Sequence, residues 1–212
     1  MDLAQVRGEY TKKKLSRKSV EKNPVVQFNS WLSEALQADC MEPTAMTIST
    51  VSEQHIPSSR VVLLKGVENG RFVFFTNYNS RKGSQLQQNP HISALFFWPE
   101  LERQIIIEGK VTKSSEAVSD TYFSTRPWKS RIGAIISPQS KAIESRNTIK
   151  TAFVLEAAKH ISDAIPRPEY WGGYEITPAR IEFWQGRENR LHDRILFSKG
   201  DDNKWIISRL AP

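Results

Sequence analysis

The pattern of hydrophobic and polar residues divides the chain near residue 23. Residues 1–22 are rich in lysine and arginine and contain few large apolar residues. Such a segment has little to bury, so the sequence predicts a flexible basic arm over residues 1–22. From Pro24, an allowed first-turn residue, apolar residues recur at helical spacing. The apolar positions of this predicted helix are Val25, Phe28, Trp31, Leu32 and Leu36.

Strand patterns dominate the remaining chain. Two β-branched and aromatic runs, 58–67 and 71–77, flank Glu68–Asn69–Gly70, which is a hairpin signal. Further strands are predicted over 45–52, 91–100, 103–114, 171–186, 190–199 and 204–210. Helical patterns cover 114–127 and 142–160, and in the second Ile143, Ile149, Phe153 and Ala157 are expected to point inward.

Consecutive strands with two or three helices predict one mainly β domain over residues 23–212. We expect a barrel with flanking helices at its ends. Strict alternation of strand and helix is absent, which argues against a doubly wound nucleotide-binding fold.

Composition narrows the class of protein. The chain has 212 residues, of which 39% are hydrophobic and 25% charged, as expected for a soluble globular domain. No apolar run approaches the ~20 residues of a membrane span, and no secretory signal is evident. The only cysteine, Cys40, suits a reducing compartment, so a cytoplasmic protein is expected. The net charge of +7 indicates an anionic partner, either nucleic acid or a phosphorylated small molecule.

The stretch FFTNYNSRKGSQL, residues 74–86, places two hydroxyls, two cations and a glycine where a strand gives way to a short helix. Hydroxyls, cations and the N–H groups of a helix start suit a phosphate. The residues are Thr76, Ser80, Arg81, Lys82 and Gly83. The alternative is a solvated surface turn.

Arg60 and Lys65 flank a very apolar strand. A period of two would place these cations on opposite faces. A strand this apolar is expected to be central, so at least one cation should be paired or lie in a pocket. The alternative is that both reach solvent at the rim.

A second possible anion site follows from Tyr122, Arg126 and Ser130, which recur at every fourth residue. The first two would share a helix face, and Pro127 would end that helix. Gln139 and Ser140 precede the long helix, and Ser140 is expected to be its N-cap.

Arg190, His192 and Arg194 alternate after Trp184 and are expected to share one strand face, with Asp193 pointing away. Such a face is either a solvated edge or binds a planar anion.

The sequence lacks the common catalytic motifs. It has no paired carboxylates, no G-x-S-x-G, no phosphate-binding loop of the G-x-x-x-x-G-K type and no metal-spaced His/Cys cluster. A site with several anion-binding residues and few proton-transfer groups suggests that a bound cofactor supplies the chemistry. No metal is predicted.

Five stretches resemble, in order and spacing, the signature blocks of the pyridoxamine 5'-phosphate oxidase family. They are SSRVVLLKG, FFTNYNSRKG, RQIIIEG, YFSTRPWKSRIGAIISPQS and EFWQGRENRLHDR, and PEYWGGYEITP matches as well. The resemblance extends from about Val25 to Pro212. It implies an FMN-binding split β-barrel and a homodimer with two sites at the subunit interface. It also implies oxidation of pyridoxamine or pyridoxine 5'-phosphate to pyridoxal 5'-phosphate, with O2 reduced to H2O2.

The resemblance also implies roles for residues by position. The implied FMN-binding residues are Arg60, Val61, Val62, Leu63, Leu64, Lys65, Phe75, Thr76, Arg81, Lys82, Gln104, Gln139, Ser140, Trp184 and Arg194. The implied substrate-binding residues are Arg7, Gly8, Glu9, Tyr10, Lys65, Tyr122, Arg126, Ser130, Arg190, Leu191 and His192. Arg190 and His192 would be catalytic and cover the pyridine ring.

Two alternatives stay open at the level of sequence. One is a split-barrel relative that binds flavin but acts on another substrate, or that binds haem. The other is a basic nucleic-acid-binding barrel. The cations cluster in pocket motifs rather than along one stripe, which favours the oxidase.

Overall fold

A computed structural model describes residues 9–160 and 165–212. In this part of the chain the helices are α1 (Pro24–Gln37), α2 (Arg81–Gln88), α3 (Glu116–Thr125), α4 (Trp128–Ile136) and α5 (Arg146–Lys159). The strands are β1 (Ala45–Val51), β2 (Pro57–Leu63), β3 (Gly66–Glu68), β4 (Arg71–Asn77), β5 (His91–Trp98), β6 (Arg103–Lys113), β7 (Trp171–Gln185), β8 (Asp193–Lys199) and β9 (Trp205–Leu210). The mainly β architecture with flanking helices is therefore confirmed. None of the described helices is long and apolar enough to cross a membrane.

The strands form one antiparallel sheet in the order β2-β1-β5-β6-β7-β4-β3, and β8 and β9 extend it from β7. Strand β7 is 15 residues long. Its first half pairs with β4 and its second half with β8, while β6 runs along both halves. A register shift at Glu108/Gly109 marks the bend. A Cβ on Gly109 would lie 2.1 Å from the carbonyl oxygen of Thr177, so the close approach at this bend requires glycine.

Helix α1 closes the inner face of the sheet. Its N-cap is Asn23, whose side chain accepts from the Val25 N–H at 2.9 Å. Phe28 is fully buried and meets Phe72 and Phe96 edge to face, with ring centroids 4.9 and 5.1 Å apart. Aromatic pairs of this geometry each add about 1 kcal/mol beyond the burial of their area. A second, smaller cluster beneath α3 and α4 consists of Phe123, Ile132, Ile165 and Trp171.

The expected central position of the strand that carries Arg60 is wrong. Strand β2 lies at an edge of the sheet and pairs only with β1. Alternate residues point outward, and Val61 and Leu63 are 64% and 37% exposed. The strand is apolar on both faces, although one of them is uncovered in the single chain.

The expected inward face of the long helix is confirmed only in part: Ile149, Phe153 and Ala157 are half-buried, and Phe153 packs against the smaller cluster. Helix α5 begins at Arg146, has no buried residue and leaves Val154 and Leu155 largely exposed. Its packing partner is α4, where Trp128 meets Phe153 edge to face. Ile143 precedes the helix and is 44% exposed.

The N-terminal segment lies against the domain over its described part, residues 9–22. Leu15 is 5% exposed and belongs to the core, and its N–H donates to Asp193 Oδ2 at 3.0 Å. Tyr10 packs edge to face on Trp184 and His192. These contacts dock the segment in the structure, and its mobility in solution stays a prediction.

Candidate active site

A cleft opens between the edge strand β2 and the pair α3–α4. Its volume is about 1190 Å³, and the end of β4, the first turn of α2 and residues 137–140 complete its lining. Among the described residues that line it, none is aspartate or glutamate. Five are cations, namely Arg60, Lys65, Arg81, Lys82 and Arg126. Charge of one sign in a concave site favours an anionic ligand.

Lys82 is the most buried of these cations, with 8% of its surface exposed. Its ammonium donates to Thr76 Oγ1 and Gln139 Oε1, each at 2.9 Å, and to Ser80 Oγ at 3.3 Å. All three acceptors are neutral. Burial, followed by repulsion from Arg60, lowers the pKa of Lys82 from 10.5 to about 8. A buried ammonium without a counter-ion is a position at which an anion is stabilised.

The start of α2 brings Arg81 and Lys82 to the cleft. Ser80 caps the helix, its hydroxyl accepting from the Gly83 N–H at 3.3 Å. A Cβ on Gly83 would lie 2.0 Å from the carbonyl oxygen of Tyr78, so only glycine permits this packing. The N–H groups and dipole of a helix start add to the attraction for an anion.

Arg60 and Lys65 line the same cleft, which corrects the expectation of opposite faces. Strand β2 ends at Leu63, so strand alternation does not extend to Lys65. The guanidinium of Arg60 donates to Thr50 Oγ1 at 2.6 Å and to Ser58 Oγ at 2.7 Å. Burial, with a smaller contribution from Arg81, lowers its pKa.

The second predicted anion group is also brought into this cleft. Tyr122 lies on α3 and stacks on Phe75 with ring centroids 3.9 Å apart. Arg126 caps the C-terminus of α3, as predicted, and Ser130 lies in the first turn of α4. Arg126 Nη1 is buried and has no hydrogen-bond partner among the described residues, and burial lowers the pKa of the guanidinium.

The segment between α4 and α5 also contributes to the cleft. Gln139 joins Lys82 to Thr76, which donates to its Oε1 at 3.3 Å. Ser140 lines the cleft with a left-handed φ of 73°. It does not cap α5, because the N-cap of that helix is Ser145.

Val61, Val62 and Leu63 of β2 line the cleft, as do Phe75 and Thr76 of β4. Leu64 does not, because it points into the core and is 4% exposed.

Three other predicted cofactor residues form a separate row on the sheet. Gln104, Trp184 and Arg194 are direct cross-strand partners on β6, β7 and β8. Arg194 is held by Glu182, with Nε and Nη2 donating to the two carboxylate oxygens at 2.7 and 3.0 Å, and this pairing raises its pKa. None of the three lines the cleft of the same chain.

The expected strand face of Arg190, His192 and Arg194 is wrong in part. Strand β8 begins only at Asp193, so Arg190 and His192 lie in the preceding turn. Arg190 adopts a φ of 59°, and Leu191 is 66% exposed. His192 Nδ1 accepts from the Arg187 N–H at 3.1 Å, and its ring lies 4.7 Å from Trp184.

This turn brings Tyr10 beside His192, with ring centroids 5.6 Å apart. Glu9 is exposed next to it, and Arg7 and Gly8 lie outside the described residues. Asp193 forms ion pairs with Arg187 and Arg209.

Trp171 is a cleft residue that the sequence interpretation missed. It begins β7, and the sequence pattern predicts only a strand there. Its ring lies parallel to those of Phe75 and Tyr122, and the guanidinium carbon of Arg126 lies 4.5 Å from its centroid. Its proximity in space to Arg126, 45 positions earlier in the chain, could not be read from local spacing.

The donor set of the cleft fits a cofactor that carries a phosphate. Lys82 is buried without a carboxylate partner, and a helix start and hydroxyls adjoin it. The lining also offers apolar side chains, Val62 and Ala134 among them, for a planar ring.

Comparisons with known proteins agree with this reading of the chain. Residues 32–158 match the family model described as pyridoxamine 5'-phosphate oxidase. Residues 171–212 match the model described as pyridoxine 5'-phosphate oxidase C-terminal dimerisation region. Proteins named pyridoxine/pyridoxamine 5'-phosphate oxidase from Bacteroides thetaiotaomicron and Haemophilus influenzae (strain 86-028NP) are 54% and 53% identical. They match 100% of this chain and 99% and 100% of their own lengths.

Solved structures support the split-barrel fold. PhzG from Burkholderia lata 383, in complex with tetrahydrophenazine-1-carboxylic acid, superposes with a TM-score of 0.89 at 27% identity, covering 97% of this chain and 100% of that one. A pyridoxamine 5'-phosphate oxidase-related, FMN-binding protein from Nostoc punctiforme superposes with a TM-score of 0.71 at 16% identity, covering 87% and 97%, and shows the fold alone. The full-length identity of about half, the two family models and the shared fold agree. The chain therefore belongs to the pyridoxine/pyridoxamine 5'-phosphate oxidase family.

Proposed function

We propose that this protein is an FMN-dependent oxidase that converts pyridoxamine 5'-phosphate or pyridoxine 5'-phosphate to pyridoxal 5'-phosphate and reduces O2 to H2O2. The observation that carries the proposal is the cleft with five cations and no acidic side chain among its described lining residues. Its cations fall into two groups, and Arg60 belongs to the first because it lies near enough to Arg81 and Lys82 for mutual repulsion. The proposed cofactor and substrate each bring one phosphate.

The first group would hold the phosphate of FMN. Arg81 and Lys82 at the start of α2 supply charge, and the hydroxyl of Thr76 supplies a further polar contact. Gln139 orients Lys82 by accepting one of its N–H groups. When bound, FMN supplies the two-electron oxidation and passes the electrons to O2.

The second group would hold the phosphate of the substrate. Arg126 and Lys65 provide charge, and Tyr122 and Ser130 provide hydroxyls along the same wall. Two phosphates held at fixed positions orient the substrate relative to the cofactor. Such orientation speeds the reaction because the two reactants need not find this geometry by chance.

The row of Gln104, Trp184 and Arg194 would complete the site from a second copy of the chain. It lies on the outward face of the sheet, and this face continues through Phe97 of β5 towards Val61 of β2, which lines the cleft. Phe97 and Val61 are 54% and 64% exposed in the single chain. A two-fold dimer that covers this face would bring each row to the partner's cleft.

Arg190 and His192 would then cover the substrate ring from the turn before β8. Arg190 supplies an exposed cation, and His192 is fixed through the bond from the Arg187 N–H. Tyr10 packs on His192, so the docked N-terminal segment would shield this side from water. Substrate binding stays a prediction for four further residues, Arg7, Gly8, Glu9 and Leu191. The cytoplasmic location also stays a prediction.

The purified protein tests this proposal directly. We expect it to be yellow, to release FMN on denaturation, and to form pyridoxal 5'-phosphate and H2O2 in equal amounts from pyridoxamine 5'-phosphate and O2. The variant Arg126→Ala should keep FMN and bind the substrate more weakly. A colourless protein that binds DNA with steep salt dependence would instead support the nucleic-acid-binding alternative. A yellow protein inactive on both vitamers would indicate another substrate.

A further inference from the structure

Arg126 is half-buried, and like Lys82 it has no carboxylate partner among the described residues. It forms no ion pair within residues 9–160 and 165–212, and its Nη1 has no hydrogen-bond partner there. Its guanidinium carbon instead lies 4.5 Å from the ring centroid of Trp171 and 5.7 Å from that of Phe123. An aromatic face attracts a cation without accepting its N–H groups in the plane of the guanidinium.

A second arginine, Arg103, also lies over a tryptophan ring and can be compared with Arg126. Arg103 lies 4.1 Å from the ring centroid of Trp31. Its guanidinium also forms an ion pair with Glu34 at 3.1 Å and donates to Gln185 Oε1 at 3.0 Å. Nη1 of Arg103 also lacks a hydrogen bond of good geometry, but its charge is paired with Glu34 inside the fold. Arg126 has no such carboxylate among the described residues and lines the cleft.

Both the backbone and the ring of Trp171 are held in place. The backbone carbonyl accepts from Arg167 Nη1 at 2.7 Å, and Arg167 Nε is paired with Asp120 of α3 at 2.6 Å. Its ring lies within 12° of parallel to Phe75 and within 6° of parallel to Tyr122. The side chain is 6% exposed, so the ring is a rigid platform at the wall of the cleft.

We propose that Trp171 is a positioning residue for the phosphate of the substrate: its indole face holds the guanidinium of Arg126 at the cleft while leaving the N–H donors available to the anion. A carboxylate in this place would also hold the arginine, but it would compete with the phosphate for the same donors. The inference rests on the proposed role of Arg126 and adds a residue outside the set predicted from the sequence.

The test compares Trp171→Phe and Trp171→Leu with wild-type holoenzyme. The KM for pyridoxamine 5'-phosphate should rise about threefold with phenylalanine, which keeps a smaller aromatic face, and about tenfold or more with leucine, which has none. The inhibition constant of inorganic phosphate should rise in parallel. FMN content should be unchanged and kcat should change by less than about twofold, since ring and flavin chemistry are not touched.

Trp31→Phe is the matched control, because it makes the same change under an arginine outside the cleft. It should lower Tm without changing KM. In an Arg126→Ala background, Trp171→Phe should have no further effect on KM, because the two residues act through one interaction. A purely structural role would instead lower Tm and leave the KM of the folded enzyme unchanged.

The outcomes separate this inference from the proposed function. If Arg126→Ala does not raise KM, the assignment of the substrate phosphate to Arg126 fails and the inference fails with it. If Arg126→Ala raises KM and the folded Trp171→Phe enzyme does not, only the role of Trp171 is refuted. Trp171→Phe keeps an aromatic ring in the cluster, so its KM tests the role of Trp171 even if Trp171→Leu does not fold.

Discussion

Replacing Lys82 by methionine should stabilise the protein without its cofactor and abolish cofactor binding. The ammonium is buried, its three acceptors are neutral, and burial with repulsion from Arg60 lowers its pKa from 10.5 to about 8. Methionine has a similar length and no charge. The substitution therefore removes the unfavourable burial of a cation and also removes the charge that an anion would use.

The magnitude follows from the pKa. A shift from 10.5 to about 8 corresponds to about 3 kcal/mol of folding free energy below pH 8, at about 1.4 kcal/mol per pKa unit. The variant loses hydrogen bonds to Thr76, Ser80 and Gln139, and their partial re-pairing leaves a net loss of about 1–2 kcal/mol. We expect the cofactor-free variant to be more stable than the cofactor-free wild type by about 1–2 kcal/mol at neutral pH.

The pH dependence has a definite sign. Between pH 8 and 10.5 the folded wild type has released the proton that the unfolded chain still holds. The unfolded state then binds more protons, so the stability of the wild type rises with pH in this window. The advantage of Lys82→Met should therefore shrink by about 2 kcal/mol between about pH 7 and about pH 9.5.

Urea denaturation of the cofactor-free proteins at these two pH values, with and without inorganic phosphate, measures the effect. Phosphate should stabilise the variant less than the wild type, because the variant keeps only the second proposed phosphate site, at Arg126. Lys150→Met, at an exposed position of α5, is the control and should change neither quantity. A Lys82→Met protein that is less stable at both pH values, or that binds FMN as tightly as the wild type, would refute the reasoning.

Three further variants test other parts of the account. Arg190→Ala should keep FMN and lose most turnover, whereas His192→Ala should mainly raise KM, because its ring is fixed to position substrate; loss of yellow colour in Arg190→Ala would show that the turn serves the cofactor instead. Leu15→Ala should lower the free energy of unfolding by about 2–3 kcal/mol in urea titrations, because the side chain is 5% exposed in the core. An unchanged free energy would show that residues 9–22 do not dock in solution.

The sequence predicted the strands, α1 and the end of α3 because these elements depend on local spacing, capping and proline. The predicted central position of β2 was wrong, because an apolar pattern is the same whether the residues face outward or lie in a core. Val61 and Leu63 are exposed in one chain and line the cleft, so a bound ligand or a partner surface would cover them. Pattern alone does not reveal whether the covering surface belongs to the same chain.

The candidate site was predicted through its motifs rather than its geometry. The spacing of Tyr122, Arg126 and Ser130 was sufficient to group them, because one helix and the turn after it fix their direction. The docking of Leu15 on Asp193 and the position of Trp171 near Arg126 depend on contacts between distant segments. Neither has a periodic signal that a local pattern could report.

The central claim is that one active site is built from the cleft of one chain and the outward row of another. Lys82→Ala and Arg194→Ala chains, each nearly inactive alone, can be unfolded together and refolded as mixed dimers. In a mixed dimer with composite sites, one site collects both defects and the other collects neither. With random pairing, activity should recover to about a quarter of the wild-type value. Recovery near zero, with mixed dimers shown to form, would mean that each site lies within one chain and would contradict the account.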